Sequence, residues 1–85
     1  MKVLIKFMVF DLPPNFADAE LTLKNGATVN DVLDACLELF KARHVSMDEN
    51  ELRTATVMVH NKWSDPADLV SDGDIITIIR PMDGG

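Results

Sequence analysis

Apolar and polar residues alternate with a period of two over residues 2–10. Val3, Ile5, Phe7 and Val9 fall on one face, and Lys2, Leu4, Lys6 and Met8 on the other. This is the pattern of a strand with one buried side. Pro13 and Pro14 cannot donate to a ladder, so residues 11–15 read as a turn. Leu21 and Leu23 alternate with Glu20, Thr22 and Lys24, which predicts a second strand returning along the first as a hairpin. The spacing then changes: Val29, Val32, Leu33, Cys36, Leu37 and Phe40 recur at helical intervals. Thr28 and Asp31 stand three apart, the spacing of a capping box, and Lys41 and Arg43 suit the negative end of a helix dipole. The expected helix covers residues 29–43.

Residues 44–53 are polar and acidic and read as a loop with one helical turn. A third strand over 54–60 turns Ala55, Val57 and Val59 inward, with a turn following at Asn61 and Lys62. Another turn starts at Asp65-Pro66, and Leu69-Val70 reads as a short strand. Ser71-Asp72-Gly73-Asp74 is a strong turn signal, and residues 75–80 form a last strand that Pro81 ends. One helix set among strands in this order gives an α+β domain in two layers. If Ile76 and Ile78 point inward, Ile75, Thr77 and Ile79 point outward, together with Leu4, Met8 and Met58. That face is more apolar than a bare sheet face usually is, which suggests a docking patch. The competing reading is scattered surface hydrophobes, or faces exchanged by a one-residue slip in register.

Composition narrows the function classes. The chain has 85 residues, enough for one domain. Its 8 basic and 14 acidic residues give a net charge of −6, which argues against nucleic acid and anionic membranes as partners. No apolar run reaches the ~18–20 residues of a membrane span, and Lys6 interrupts what would be a signal-peptide core. A single cysteine, Cys36, excludes an internal disulfide. The expected location is therefore the cytoplasm. His44 and His60 have no zinc-site spacing, no glycine-rich phosphate loop is present, and no metal or bound cofactor is expected. Cys36 lies in the apolar stripe of the helix and reads as a small buried hydrophobe. Asp48, Glu49 and Glu51 read as a solvated loop rather than a cation site.

The C-terminal residues remain. Pro81, Met82, Asp83, Gly84 and Gly85 follow the last strand and, if extended, reach roughly 16–18 Å beyond the fold. The domain is thus expected to span 1–80 and the tail 81–85. Glycine has no Cβ, fits a narrow channel and leaves the terminal carbonyl sterically open. A terminal carboxyl group, with a pKa of about 3.3–3.7, is ionised at neutral pH and a poor electrophile. Chemistry at Gly85 requires activation as an acyl-phosphate or acyl-adenylate, and a second enzyme must supply it.

The run from Val70 through the D-G-D turn, the apolar strand Ile75-Ile76-Thr77-Ile78-Ile79, Arg80 and Pro81 to Gly84-Gly85 resembles the ending of ubiquitin-like sulfur carriers. These are the molybdopterin synthase small subunit (MoaD) and the thiamine-pathway carrier (ThiS). Length and the 44–53 segment resemble the molybdopterin type more closely. Where relatives often carry Asn-Gly after the third strand, this chain has Asn61-Lys62, and Asp83 adds a charge to the tail. The resemblance implies a two-layer β-grasp fold, with the first and last long strands parallel at the centre of a mixed sheet. It also implies an adenylating enzyme of the ubiquitin-activating type, which uses ATP to join the Gly85 carboxylate to AMP. A sulfur donor protein then displaces AMP to leave a thiocarboxylate for molybdopterin biosynthesis. A synthase large subunit is a further implied partner, with the chain as its non-catalytic small subunit. The partner-binding residues expected are Met58, Ile75, Ile79 and Arg80. Alternatives are a thiamine-thiazole sulfur carrier, a protein modifier conjugated to lysines through Gly85, and an interaction domain whose glycines are idle.

Overall fold

The computed structural model describes residues 1–8, 10, 12–13 and 18–81. The expectations on Val9, on the 11–15 turn at Asp11, Pro14 and Asn15, and on Met82, Asp83, Gly84 and Gly85 lie outside the described residues.

The first alternating run forms β1 (Lys2–Met8), and β2 (Asp18–Thr22) returns antiparallel to it, with Leu4 opposite Glu20 and Lys6 opposite Asp18. Helix α1 (Val29–Ala42) starts at the expected cap. The Asp31 backbone N–H donates to Thr28 Oγ1 at 3.3 Å, and the Thr28 N–H donates to Asp31 Oδ2 at 2.9 Å. Two further orphan donors of the first turn are satisfied by the segment 65–70. The Val29 N–H meets the Asp68 carbonyl and the Asn30 N–H the Pro66 carbonyl, both at 2.9 Å. The expected strand at Leu69-Val70 is therefore corrected. Leu69 makes one isolated bridge to Thr28, and the segment braces the helix start instead of joining the sheet.

Helix α1 ends one residue earlier than expected. His44 takes a positive φ of 56°, its N–H bonds to the Lys41 carbonyl, and the Val45 N–H bonds to that of Phe40. This paired return is a Schellman motif with histidine where glycine is usual. The one helical turn expected in the acidic segment is α2 (Glu49–Arg53). Asp48 caps it through Asn50 N–H at 2.9 Å, Leu52 is fully buried, and Arg53 pairs with Asp34 of α1 and bonds to Asn30 at 2.8 Å. Asp48 and Glu49 thus have structural roles, Glu49 as an exposed i,i+4 partner of Arg53.

The strand β3 (Thr56–Val59) is followed by a two-residue loop and β4 (Lys62–Trp63). The expected turn at Asn61-Lys62 is shifted by one residue: His60 and Asn61 occupy it, at φ 50° and 67°. Positive φ at both central residues is the geometry that matches the twist of a tight hairpin. Strand β5 (Ile75–Ile79) closes a five-stranded sheet of order β2-β1-β5-β3-β4. β5 runs parallel to β1 and antiparallel to β3. The 71–74 turn stitches its start to β1, because the Lys2 N–H donates to Asp72 Oδ1 and the Gly73 N–H to the Lys2 carbonyl, both at 2.7 Å. Gly73 adopts φ 84°, a left-handed conformation that a side chain would strain.

Val3 and Ile5 of β1, Ile76 and Ile78 of β5, and Val57 of β3 form one buried cluster with Val29, Val32, Leu33, Cys36 and Phe40 of α1. Phe7 packs on Phe40 with ring centroids 5.3 Å apart. The inward assignment of Ile76 and Ile78 holds, so the register leaves Ile75, Thr77 and Ile79 on the open face.

Leu52 fixes a five-residue helix that would not persist alone. Leu52→Ala should lower the unfolding free energy by about 2–5 kcal/mol, the range for emptying a packed leucine site. Urea denaturation of the purified chain measures it.

Candidate functional site: the open sheet face and the root of the tail

The ladder pairings arrange the open face in rows. Leu4 lies beside Ile75, and Met8 lies beside Ile79, which faces Thr56. Between them runs Lys6, Thr77, Met58 and Trp63, from β1 across to β4. Met8 is 51% exposed, Ile75 40% and Trp63 76%, so water meets large apolar side chains on three strands of this face. Leu4, Met58 and Ile79 are half-buried among them. The patch therefore follows from register and is not a scatter of single residues. Trp63 was missing from the expected patch. A two-residue loop at His60-Asn61 forces Val59 to pair with Lys62 and Met58 with Trp63, so placing that turn correctly would have revealed it.

Arg80 follows β5 and lies on the other side of the sheet from Met58, Ile75 and Ile79, because side chains alternate along a strand. Its backbone N–H donates to the Met8 carbonyl at 3.1 Å, and its guanidinium pairs with the Glu51 carboxylate of α2. Both charged groups are partly screened from water. A recess of about 280 Å³ beside them is lined by Asp48, Asn50, Glu51, Thr54, Arg80 and Pro81. The last strand is thus held on both edges and at its end before the chain passes into residues 82–85. The site residues Met82, Asp83, Gly84 and Gly85 lie outside the described part.

Solved structures share this arrangement. SAMP1 from Haloferax volcanii superposes with a TM-score of 0.75 at 23% identity, over 100% of both chains. The ubiquitin-like β-grasp is the fold. A putative molybdopterin converting factor subunit 1 from Pyrococcus furiosus matches with a TM-score of 0.73 at 20% identity, over 95% of this chain and 98% of the other. The ubiquitin of Caldiarchaeum subterraneum matches at 0.66 and 20%, over 100% of this chain and 98% of its own. No family model and no curated protein sequence matches the chain. The β-grasp neighbours include the MoaD type that the C-terminal resemblance named, and also a small archaeal modifier protein, which it did not name. The D-G-D motif that carried much of that resemblance has a structural role in this β-grasp. Asp72 receives the Lys2 N–H, and Asp74 receives the Ser71 N–H at 2.7 Å and sits 2.9 Å from His60 Nε2.

Among the described residues no helix is long and apolar enough to cross a membrane, and no three His, Cys, Asp or Glu side chains gather as metal ligands. Cys36 is buried in α1, and burial pushes its thiol from 9.0 up to about 12. A thiol kept protonated is neither a nucleophile nor a sulfur acceptor.

The raised thiol value is also a stability statement. The unfolded chain releases this proton near pH 9 and the folded chain does not until about pH 12. Stability from Cys36 is therefore fully present below pH 9 and lost as pH rises toward 12, at about 1.4 kcal/mol per pH unit. Between those values, urea midpoints of the wild type should fall more steeply with pH than those of Cys36→Ala.

Proposed function

We propose that the chain is a ubiquitin-like carrier whose working group is the Gly85 carboxylate. An adenylating enzyme supplies the activation. The carboxylate oxygen attacks the α-phosphorus of ATP, pyrophosphate leaves, and an acyl-adenylate forms. Hydrosulfide supplied by a sulfur donor then attacks the carbonyl carbon, AMP departs with the C–O electron pair, and loss of the S–H proton leaves a thiocarboxylate. The sulfur passes onward to a small-molecule precursor, with molybdopterin as the end product and the cytoplasm as the compartment. The chain binds no cofactor of its own in this scheme.

The observation that carries the proposal is the setting of the tail. A strand buried at the centre of the sheet leads straight into Pro81 and the Gly84-Gly85 pair. A partner that takes this tail into a cleft must reach the end of β5, from which the apolar rows run back from Met8 and Ile79 past Met58 and Trp63 to Leu4 and Ile75 and offer it a seat. The tail residues Pro81, Met82, Asp83 and Gly84 would line the partner's channel, and Arg80 would fix their root. A complex of subunits 1 and 2 of the molybdopterin-converting factor from Helicobacter pylori 26695 matches this chain with a TM-score of 0.56 at 16% identity, over 100% of both chains. It supports a synthase large subunit as a second partner. One other reading has a specific observation behind it. The small archaeal modifier protein 1 and ubiquitin among the neighbours favour conjugation to lysines through the same activated carbonyl.

Incubation with ATP, the cognate adenylating enzyme and a sulfur source should raise the intact mass by the exchange of one oxygen for one sulfur. Removing Gly85 should abolish that gain, and an unchanged gain would overturn the carrier reading. Isopeptide-linked adducts in its place would select the modifier. Met58→Asp and Ile79→Asp should retain the circular dichroism spectrum of the wild type and lose activation.

A further inference from the structure

The open face contains a feature of the wrong sign for this protein. The chain carries −6 overall, and the edge strand beside the patch presents Asp18 and Glu20. Yet in the middle of the apolar rows stands Lys6, an exposed cation between Leu4–Ile75 and Met8–Ile79. Among the described residues it makes no ion pair, although Asp18 is its cross-strand neighbour. Beside it a recess of about 240 Å³ is lined by Lys6, His60, Asn61, Ile75 and Thr77. Its far wall is held firmly. His60 and Asn61 keep left-handed backbone conformations, the His60 N–H bonds to the Ile75 carbonyl at 3.1 Å, and Asp74 anchors the imidazole. Left-handed non-glycine residues cost free energy and persist where the surroundings hold them.

We infer that the partner seated on this face places a carboxylate in the recess, against Lys6, with apolar side chains around it. The inference rests on the proposed function and specifies the partner: an adenylating enzyme whose docking surface is an apolar ridge bearing one Asp or Glu. Lys6 lies between the apolar rows, so any partner that covers them removes water from its ammonium group. A buried cation without a counter-charge is strongly disfavoured, so a partner without the acid would bind poorly. The acid also sets register. An apolar face alone tolerates sliding, whereas one charge fixed in a recess admits one alignment, and alignment aims the tail at the cleft.

The test is titration of the cognate adenylating enzyme with the full chain, at low and high salt, using wild type, Lys6→Ala, Lys6→Glu and Lys24→Ala. Lys24 is exposed beyond β2, beside Asp31 at the start of α1. Lys6→Ala should weaken binding about threefold to tenfold and flatten its salt dependence, and Lys6→Glu should weaken it by about tenfold or more. Lys24→Ala should bind as the wild type, and all four should melt at the same temperature. Binding of Lys6→Glu within twofold of the wild type would overturn the inference. The same mixture, given ATP and a sulfur source, reports thiocarboxylate on the wild type. Its appearance alongside tight Lys6→Glu binding would sink the carboxylate contact alone, whereas its failure to appear would sink the carrier reading.

Discussion

The parallel contact between β1 and β5 is the constraint on which the rest of the molecule depends. These strands come from opposite ends of the chain, and their pairing brings Ile5 beside Ile76 and Phe7 beside Ile78. Closing so long a loop is entropically costly, and the return is a strip in which Ile5, Ile76 and Ile78 are fully buried. Parallel strands cannot be joined by a tight turn, so the intervening residues must cross the sheet, and α1 does so over the strip it buries. Three hydrogen bonds between the 71–74 turn and Lys2 and Leu4, one of them accepted by the Asp72 side chain, fix the alignment at its start. A one-residue slip would put Ile75 and Ile79 inside and Ile76 and Ile78 outside, destroying core and patch together.

Elements whose stability is local could be read from the sequence. β1 announces itself by its period of two, β5 as an isoleucine-rich run between the 71–74 turn and Pro81, and α1 by its apolar stripe and the Thr28–Asp31 box. The parts that could not be read depend on distant partners. Leu69-Val70 has the composition of a strand, but the bare N–H groups of Val29 and Asn30 draw the preceding carbonyls to the helix. β4 is two residues long, too short for any periodicity, and exists because a left-handed pair at His60-Asn61 folds it back on β3. Histidine gives no hint of that conformation. The helical turn at α2 was legible in the 44–53 segment, but the contacts that hold it, Leu52 in the core and Arg53 on α1, are not visible as a pattern.

The site divides along the same line. Its apolar part was legible, because inward Ile76 and Ile78 leave Ile75 and Ile79 outside by alternation. Trp63 was not, because its place depends on the β3–β4 register. The cationic recess was not legible either. Lys6 is unremarkable in a strand of alternating residues, and it acquires meaning when two strands away a hairpin places His60 and Asn61 beside it.

A central strand is also a suitable root for a tail that, under the proposed function, another protein grips. A tail drawn into a cleft transmits force to the strand it leaves. An edge strand would resist with one ladder, and its free edge would invite unwanted pairing. β5 resists with two ladders, to β1 and β3, and below them Arg80 is tied by its backbone to Met8 and by its guanidinium to Glu51. Glu51 in turn belongs to a helix pinned by Leu52 and clipped to α1 through Arg53. The described chain is thus tied down as far as Arg80, and under the proposed function residues 81–85 are the stretch that the partner takes up. Under that function the partner that covers the apolar face must also reach the tail, so docking and delivery become one geometric requirement.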